Sequence, residues 1–316
     1  MKFSKDFKEI KGDASFRKFY RNTKKNSIIV FANKEKTKNL LIYDSINKIL
    51  IKNNIIAPQL LSQNYKKNYI EIQDLGKKTI YQIFSNYKKK QYPIFKKAIN
   101  VLNKIQLVKD KKIKNFKNEF YLIKDYKNKI LLDEANLFSY WYVPKKLDKK
   151  KINIFKTKFN REIKLLLSKL HFKNDTFVHR DFHVSNLIVN SKNQIGLIDN
   201  QDALIGNKAY DLASLIDDVR YKTSNSLKEK VYNYYLMTNK KINADKFKND
   251  YDILSVLRNL KIIGIFMRLA ERDKKRKYLK LIPYAWKIID NRISKNKNLV
   301  NLKFLLETNF PKFITK

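Results

Sequence analysis

The sequence predicts an α+β protein of two lobes, a small β-rich lobe over residues 1–74 and a large helical lobe over 75–316. Three observations predict it. The first 74 residues read as strand, strand, helix, strand, strand. Beyond residue 76 apolar positions recur at helical spacing. One hairpin, at residues 177–202, interrupts those helices and is flanked by oxygen-bearing side chains. A chain of 316 residues has ample core for such an arrangement.

Residues 1–11 form a short lead-in that reads as helical. Lys11-Gly12-Asp13-Ala14-Ser15-Phe16-Arg17 then makes a turn, and the chain has only five Gly, so Gly12 is informative. Phe16 to Arg21 and Ser27 to Phe31 read as strands joined by a turn at Asn22 to Asn26. A Gly-containing turn entering a hairpin is the shape of a loop that covers a nucleotide, with small Ala14 and Ser15 letting backbone N–H groups approach phosphates. It is also the shape of an ordinary turn. Residues 36–53 place Leu40, Leu41, Ile46, Ile49 and Leu50 on one helical face. Ala57-Pro58 breaks the pattern. Leu60-Leu61 and Tyr69 to Ile72 read as two more strands, and Gln73 to Gly76 as the exit to the second lobe. Helices are predicted over 77–87, 92–108, 118–140 and 151–171, and after the hairpin over 207–221, 225–238, 244–272 and 278–293. The aromatic stretch 138–142 is either core or a stacking platform for a sugar. Gly264, in the helix around 260–269, permits close packing.

The stretch F-V-H-R-D-F-H-V-S-N-L-I-V-N-S-K-N-Q-I-G-L-I-D-N-Q-D carries the chemistry. Leu187 to Asn190 and Ile195 to Ile198 are apolar runs about a polar turn, Ser191 to Gln194. Symmetric folding sets Asn190 against Ile195, Leu187 against Ile198 and Asn186 against Asp199. Opposed side chains in such a ribbon lie about 5 Å apart at Cβ. An amide and a carboxylate so placed can grip a hard cation such as Mg²⁺ through oxygen. Asp181 precedes them in the loop. Phosphoryl transfer needs this set, since it rests on positioning and charge neutralisation rather than on a covalent nucleophile.

The formal charge is +41, nearly all from Lys spread along the chain among abundant Asn and Ile. Arg, the better reader of bases and phosphates, is scarce and clusters only at Arg258, Arg268, Arg272 and Arg276. Dispersed Lys of this kind argues against a nucleic-acid partner, which calls for charge on one face. It does attract anions such as ATP at low salt. There is no Cys, so disulfides and thiolate metal sites are excluded. No apolar run approaches the ~20 residues of a membrane span, and the first residues lack the apolar segment of a signal peptide. A cytoplasmic enzyme is the expectation.

The blocks V-H-R-D-F-H-V-S-N, G-L-I-D-N-Q-D-A and A-Y-D-L-A-S-L resemble the aminoglycoside-phosphotransferase and choline-kinase branch of the protein-kinase-like fold. With Glu71 to Gly76, Leu132 to Trp141 and Arg258 to Asp273, they most resemble its cell-wall sugar kinases. Those enzymes phosphorylate the anomeric hydroxyl of N-acetylmuramate and N-acetylglucosamine in peptidoglycan recycling. The resemblance implies a bilobal protein-kinase-like fold with ATP and Mg²⁺ as cofactors and a small sugar as partner. It makes Asp181 the base or hydroxyl-orienting carboxylate, with Asn186 and Asp199 as metal ligands. Gly12, Asp13, Ala14, Ser15, Phe16 and Arg17 would cover the ATP phosphates, and Gln73, Asp74 and Leu75 would meet adenine through backbone groups. Choline, an amino alcohol or an aminoglycoside is the alternative acceptor. A basic nucleic-acid binder on a kinase-like scaffold is an alternative of another class, as is a catalytically inert scaffold, against which the intact Asp181, Asn186 and Asp199 argue.

The sequence departs from the resemblance at Asn200, where Phe is usual, and at Ser185, where an acidic residue is common. The strand Ser27 to Phe31 has no Lys for the α/β-phosphates, and Arg17, Arg21 or Lys34 could replace it. His183 touches the sugar or packs. Asp202 supports Asp199 or touches the sugar. Arg220 and Asn259 line the acceptor side or lie in ordinary positions. His179 orients the loop, His171 sits at a helix end, and Asp211 bonds or caps. His179 and His183 beside Asp181 lack the third spaced ligand that zinc needs.

Overall fold

A computed structural model gives the architecture and describes residues 6–10, 17–32, 39–86 and 91–313. Along the chain the elements are β1 (Phe7–Ile10), β2 (Arg17–Asn22), β3 (Ser27–Ala32), α1 (Asn39–Lys52), β4 (Leu60–Asn64), β5 (Tyr69–Gln73), α2 (Ile80–Asn86), α3 (Gln91–Gln106), β6 (Lys112–Lys114) and β7 (Phe120–Leu122). They continue with α4 (Asn128–Leu137), α5 (Lys149–Ser168), β8 (Thr176–Val178), β9 (Leu187–Val189), β10 (Ile195–Leu197) and β11 (Leu204–Gly206). The remainder is helical: α6 (Ala209–Ile216), α7 (Asn225–Thr238), α8 (Ala244–Glu271), α9 (Ile282–Ile293) and α10 (Val300–Asn309). No described helix is long and apolar enough to cross a membrane.

Packing divides the chain into two compact units, Met1–Lys124 with His179–Leu204, and Asp125–Val178 with Ile205–Lys316. The first unit extends past residue 74, with α2 and α3 against the β9–β10 hairpin and α1 against residues 200–202. That sheet runs β1-β2-β3-β5-β4, each neighbour antiparallel. Inward residues of β3 and β5 (Val30, Ala32, Ile70, Ile72) meet Leu40 and Tyr43 of α1 in one buried cluster. The apolar face read for α1 is the one buried, with Leu40, Leu41, Ile46, Ile49 and Leu50 all within it.

Two expectations about this unit are corrected. Residues 7–10 are an edge strand rather than helix, paired Phe7 to Asn22 and Ile10 to Phe19. The spacing of Phe3, Phe7 and Ile10 mimics a helix, but ladder hydrogen bonds to β2 decide the outcome. The helix expected over 118–140 starts only at Asn128. Residues 112–122 form a hairpin instead, because Asn118 takes a left-handed φ of 61° and the Asn115 side chain accepts from the amides of Lys117 and Glu119.

The second unit is helical about α8. Gly264 faces the backbone of Leu137 and Phe138, closer than any Cβ could come. This is the close approach its sequence position suggested. The stretch 138–142 forms one π-helical turn. Phe138 and Tyr142 are buried, packing on Trp286 and Phe310 at ring separations of 5.6–5.9 Å. Those two rings are core, while Tyr140 is exposed. β8 pairs with β11, and Gly206 of β11 lies close against Tyr126 and Val178.

Candidate active site

The hairpin is present, but its register differs by one residue from the symmetric expectation. Ile195 pairs with Val189, Gly196 with Ile188 and Leu197 with Leu187. The cause is the turn. Asn193 takes a left-handed φ of 58°, and the Asn190 side chain accepts from the amides of Lys192 and Gln194. The Asn190 amide donates to the Gln194 carbonyl at 2.9 Å. The loop is therefore the three residues Ser191 to Asn193, a common hairpin length when its last residue is left-handed. A one-residue slip exchanges faces along a strand. Asn186 consequently lies opposite Ile198, whose amide donates to the Asn186 carbonyl at 3.1 Å, and not opposite Asp199.

Asp199 leaves the ladder by a left-handed turn, φ 64° and ψ 41°. Arg180, next to Asp181, is also left-handed, at φ 71°. Such conformations cost about 1–3 kcal/mol in a non-Gly residue and gather at functional sites. Asp199 Oδ1 accepts from Arg17 Nη2 at 2.7 Å and from Gln201 Nε2 at 3.3 Å. Its Oδ2 accepts from no described residue. Arg17 is buried, and its Nη1 donates to Gln201 Oε1 at 2.6 Å. Tyr43 of α1 lies beside this pair, hydrogen-bonded to Asn47 and to the Asp199 backbone. Burial, offset by Arg17 and reinforced by Asp199, pushes its hydroxyl up to about 12.

Asp181 is half-buried at the head of a tight turn. Its amide donates to His179 Nδ1 at 3.2 Å, and its carbonyl accepts from the His183 amide and from Asn186 Nδ2, at 2.9 and 3.1 Å. Pinning the amide nitrogen of Asn186 fixes the direction of its Oδ1, to which no described residue donates. His183 is 5% exposed with its ring against Asn186. His179 is wholly buried, and its Nε2 lies 2.8 Å from Asn200 Oδ1.

Asp202 is exposed and its Oδ2 accepts from Gln201 Nε2 at 2.7 Å, an indirect link to Asp199. Residues 12–16 lie outside the described residues, so of the phosphate-covering turn only Arg17 is described. The amides of Gln73 and Asp74 are already spent on the carbonyls of Gln59 and Asn26, both at 2.8–2.9 Å. Among the three residues from Gln73 to Leu75, the Leu75 amide alone donates to no described residue. Arg21 is fully engaged elsewhere, donating to both oxygens of Asp74 and to the Gly76 carbonyl. In the second unit Arg220 is partly exposed beside Asp218. Asn259 is fully buried with Nδ2 donating to the Ser255 carbonyl. Sequence reasoning missed Asn47, Asn200 and Gln201 as members of the polar network, because their partners are remote in the chain.

Asn186 Oδ1 and Asp199 Oδ2, to which no described residue donates, are of the oxygen type that suits Mg²⁺, which takes few protein ligands and keeps phosphate and water oxygens. No described cluster of three His, Cys, Asp or Glu could hold a metal by itself. A separate cavity of about 320 Å³ in the second unit is lined by Lys228, Lys248, Arg292 and Lys295 against Asp217 and Glu229. That is no richer in cations than the chain as a whole, with 70 basic and 29 acidic residues.

Residues 6–244 match the phosphotransferase enzyme family. The chain is similar to the N-acetylmuramate/N-acetylglucosamine kinase of Pseudomonas putida, 26% identical over 301 residues, covering 93% of this chain and 85% of that protein. The same-named kinase of Neisseria meningitidis is 28% identical over 282 residues, covering 86% of this chain and 80% of that protein. Among solved structures, a choline/ethanolamine kinase family protein from Mesorhizobium loti superposes with a TM-score of 0.62 at 10% identity, over 96% of this chain and 93% of that one. An aminoglycoside phosphotransferase in complex with GDP and kanamycin gives 0.61 at 13% identity, over 92% and 94%. These likenesses share the protein-kinase-like fold. With the family match spanning most of its length, the chain belongs to the phosphotransferase enzyme family.

Proposed function

We propose that this phosphotransferase is an ATP- and Mg²⁺-dependent sugar kinase acting on the anomeric hydroxyl of N-acetylmuramate or N-acetylglucosamine. The observation that carries the phosphotransfer reading is the Asp199 carboxylate, on left-handed backbone, with one oxygen held by Arg17 and the other accepting from no described residue. The acceptor comes from the names of the curated relatives. A place in peptidoglycan recycling rests on the resemblance of the sequence blocks to the cell-wall sugar kinases, and a cytoplasmic setting is the expectation from the sequence.

Asp181 aligns the acceptor hydroxyl and takes its proton as the oxygen–phosphorus bond forms. The bond from the γ-phosphorus to the bridging oxygen breaks, and ADP leaves. Asn186 and Asp199 would hold Mg²⁺, which when bound neutralises charge on the phosphoryl oxygens. Arg17 is proposed as the cation for the phosphates that the third strand lacks, on its place beside Asp199; Arg21 is bonded to Asp74, and Lys34 lies outside the described residues. The Leu75 amide meets adenine, and residues 12–16 cover the phosphates. In this reading residues 1–74 are the nucleotide lobe, and 75–316 supply catalysis and acceptor binding. Asp202 supports Asp199 through Gln201. Arg220 and Asn259 are proposed as acceptor contacts on the resemblance.

A coupled ADP-release assay with N-acetylmuramate, N-acetylglucosamine, choline and kanamycin tests this, with phosphorus NMR locating the new phosphate. Turnover on the two amino sugars with an anomeric phosphate is expected. Turnover confined to choline or kanamycin would overturn the acceptor, and no Mg²⁺ dependence would overturn the metal assignment.

A further inference from the structure

We propose that Asn200 is a positioning residue: it accepts from Nε2 of His179, whose tautomer the Asp181 amide sets, and thereby ties α1 to the backbone of Asp181. The inference rests on the reading of Asp181 as the acceptor-aligning carboxylate.

The bond directions leave one solution. The Asp181 amide can only donate, and it donates to His179 Nδ1 at 3.2 Å. Nδ1 therefore carries no proton, and in the neutral ring the proton sits on Nε2. Nε2 then donates to Asn200 Oδ1, 2.8 Å away. That leaves the Asn200 amide nitrogen facing Asn47 Oδ1 at 2.7 Å and the Leu197 carbonyl at 3.2 Å, both acceptors. Turning the amide over would set donor against donor at His179 and acceptor against acceptor at Leu197. A backbone donor at one end and a backbone acceptor at the other thus set both side-chain orientations.

Burial makes the chain of bonds consequential. His179 and Asn200 are 0% exposed and Asn47 is 3% exposed, so water does not replace a lost partner. The chain spans Asn47 on α1, Asn200 just after Asp199, and the turn that presents Asp181. A Phe at 200, the residue usual in the resemblance, could make none of these bonds. Here the helix beside the sheet is joined to the catalytic turn by polar contacts, and Asn200 is the only member that bonds to both sides.

The test uses the three histidines of the chain, whose ring nitrogens resolve by ¹⁵N NMR. In the unaltered protein His179 is expected as the neutral Nε2–H tautomer with a slowly exchanging proton. Finding it as the Nδ1–H tautomer overturns the inference whether or not any variant folds. Asn200→Leu leaves the Nε2 proton without its acceptor, and is expected to shift its signal and speed its exchange and to lower kcat about 10- to 100-fold, the scale of a small misplacement of a catalytic group, with KM for ATP within about twofold. Asn47→Leu is expected to keep the tautomer and to lower kcat by a smaller factor. An Asn200→Leu protein with unchanged imidazole signals, or with a KM rise equal to its kcat loss, overturns the positioning role. The NMR arm needs no turnover. If no acceptor supports ADP release, the kinase reading fails while the Asn200–His179 link is still decided.

Discussion

Asp199 and Asp217 are both aspartates held by arginine, and they are held in opposite ways. Asp217, in the second unit, is 1% exposed, and both its oxygens are saturated. Oδ1 accepts from Lys228 and Arg292, at 2.8 and 3.1 Å, and Oδ2 from Arg292, Ser255 and Tyr251. Burial alone would raise its pKa, but Arg292 and Lys228 outweigh it and hold the carboxyl well below the usual range. Asp199 is 36% exposed, engages Arg17 and Gln201 through one oxygen, and sits on strained backbone. The difference separates a carboxylate with more donors than oxygens from one with an oxygen to which no described residue donates, the oxygen that the proposed function gives to a metal.

The sharpest way to break that contrast is to remove each group. Asp199→Ala is expected to abolish Mg²⁺-dependent transfer while the protein stays folded by circular dichroism. An unaltered metal titration of activity would show that its spare oxygen is idle. Asp181→Asn is expected to lose about 10²-fold or more in kcat with ATP binding kept, the usual scale for a general base. Equal turnover would remove it from the mechanism.

Asp217→Asn should do the reverse, costing about 3–5 kcal/mol in urea unfolding because Lys228 is left buried without its counter-charge and Arg292 keeps only Asp252, 3.9 Å away. The pH dependence comes from the sign of the shift. A carboxyl lowered in the folded state gives stability that is complete above its unfolded pKa of about 4 and is lost as pH falls below that value. The Asn variant should lack this acid-range component, and an identical acid profile would count against it. The smallest expected effect is at Arg17. Arg17→Ala should raise KM for ATP about tenfold, the scale of one charge-assisted hydrogen bond, and Arg17→Lys should recover part of it. No change in either variant would return the phosphate role to residues outside the described set.

The β2–β3 hairpin, α1, α7 and α8 were legible because local periodicity and turn residues agree with their final packing. The catalytic hairpin was legible too, but not its register. That depends on whether Asn193 or Gln194 closes the loop, a choice made by the Asn190 side chain. β1 and the β6–β7 hairpin were hidden because short, half-exposed strands among Lys and aromatic residues carry no clear period. The Asn47–Asn200–His179 chain was illegible for a different reason. Asn47 and Asn200 are 153 residues apart, and no local rule joins an amide on a helix to one after a strand. Asn200 stood out only as a mismatch, with nothing to say what it replaced the ring with.

Strands β8 and β11 pair with each other in the second unit, yet the segment His179–Leu204 between them packs with the first. The segment is thus an excursion whose two ends are already tied. Its closure entropy falls on the β8–β11 ladder rather than on the catalytic turn. The ladder should therefore form before the turn during refolding, and its amides should be protected from hydrogen exchange earlier than those of Asp181 and Asn186.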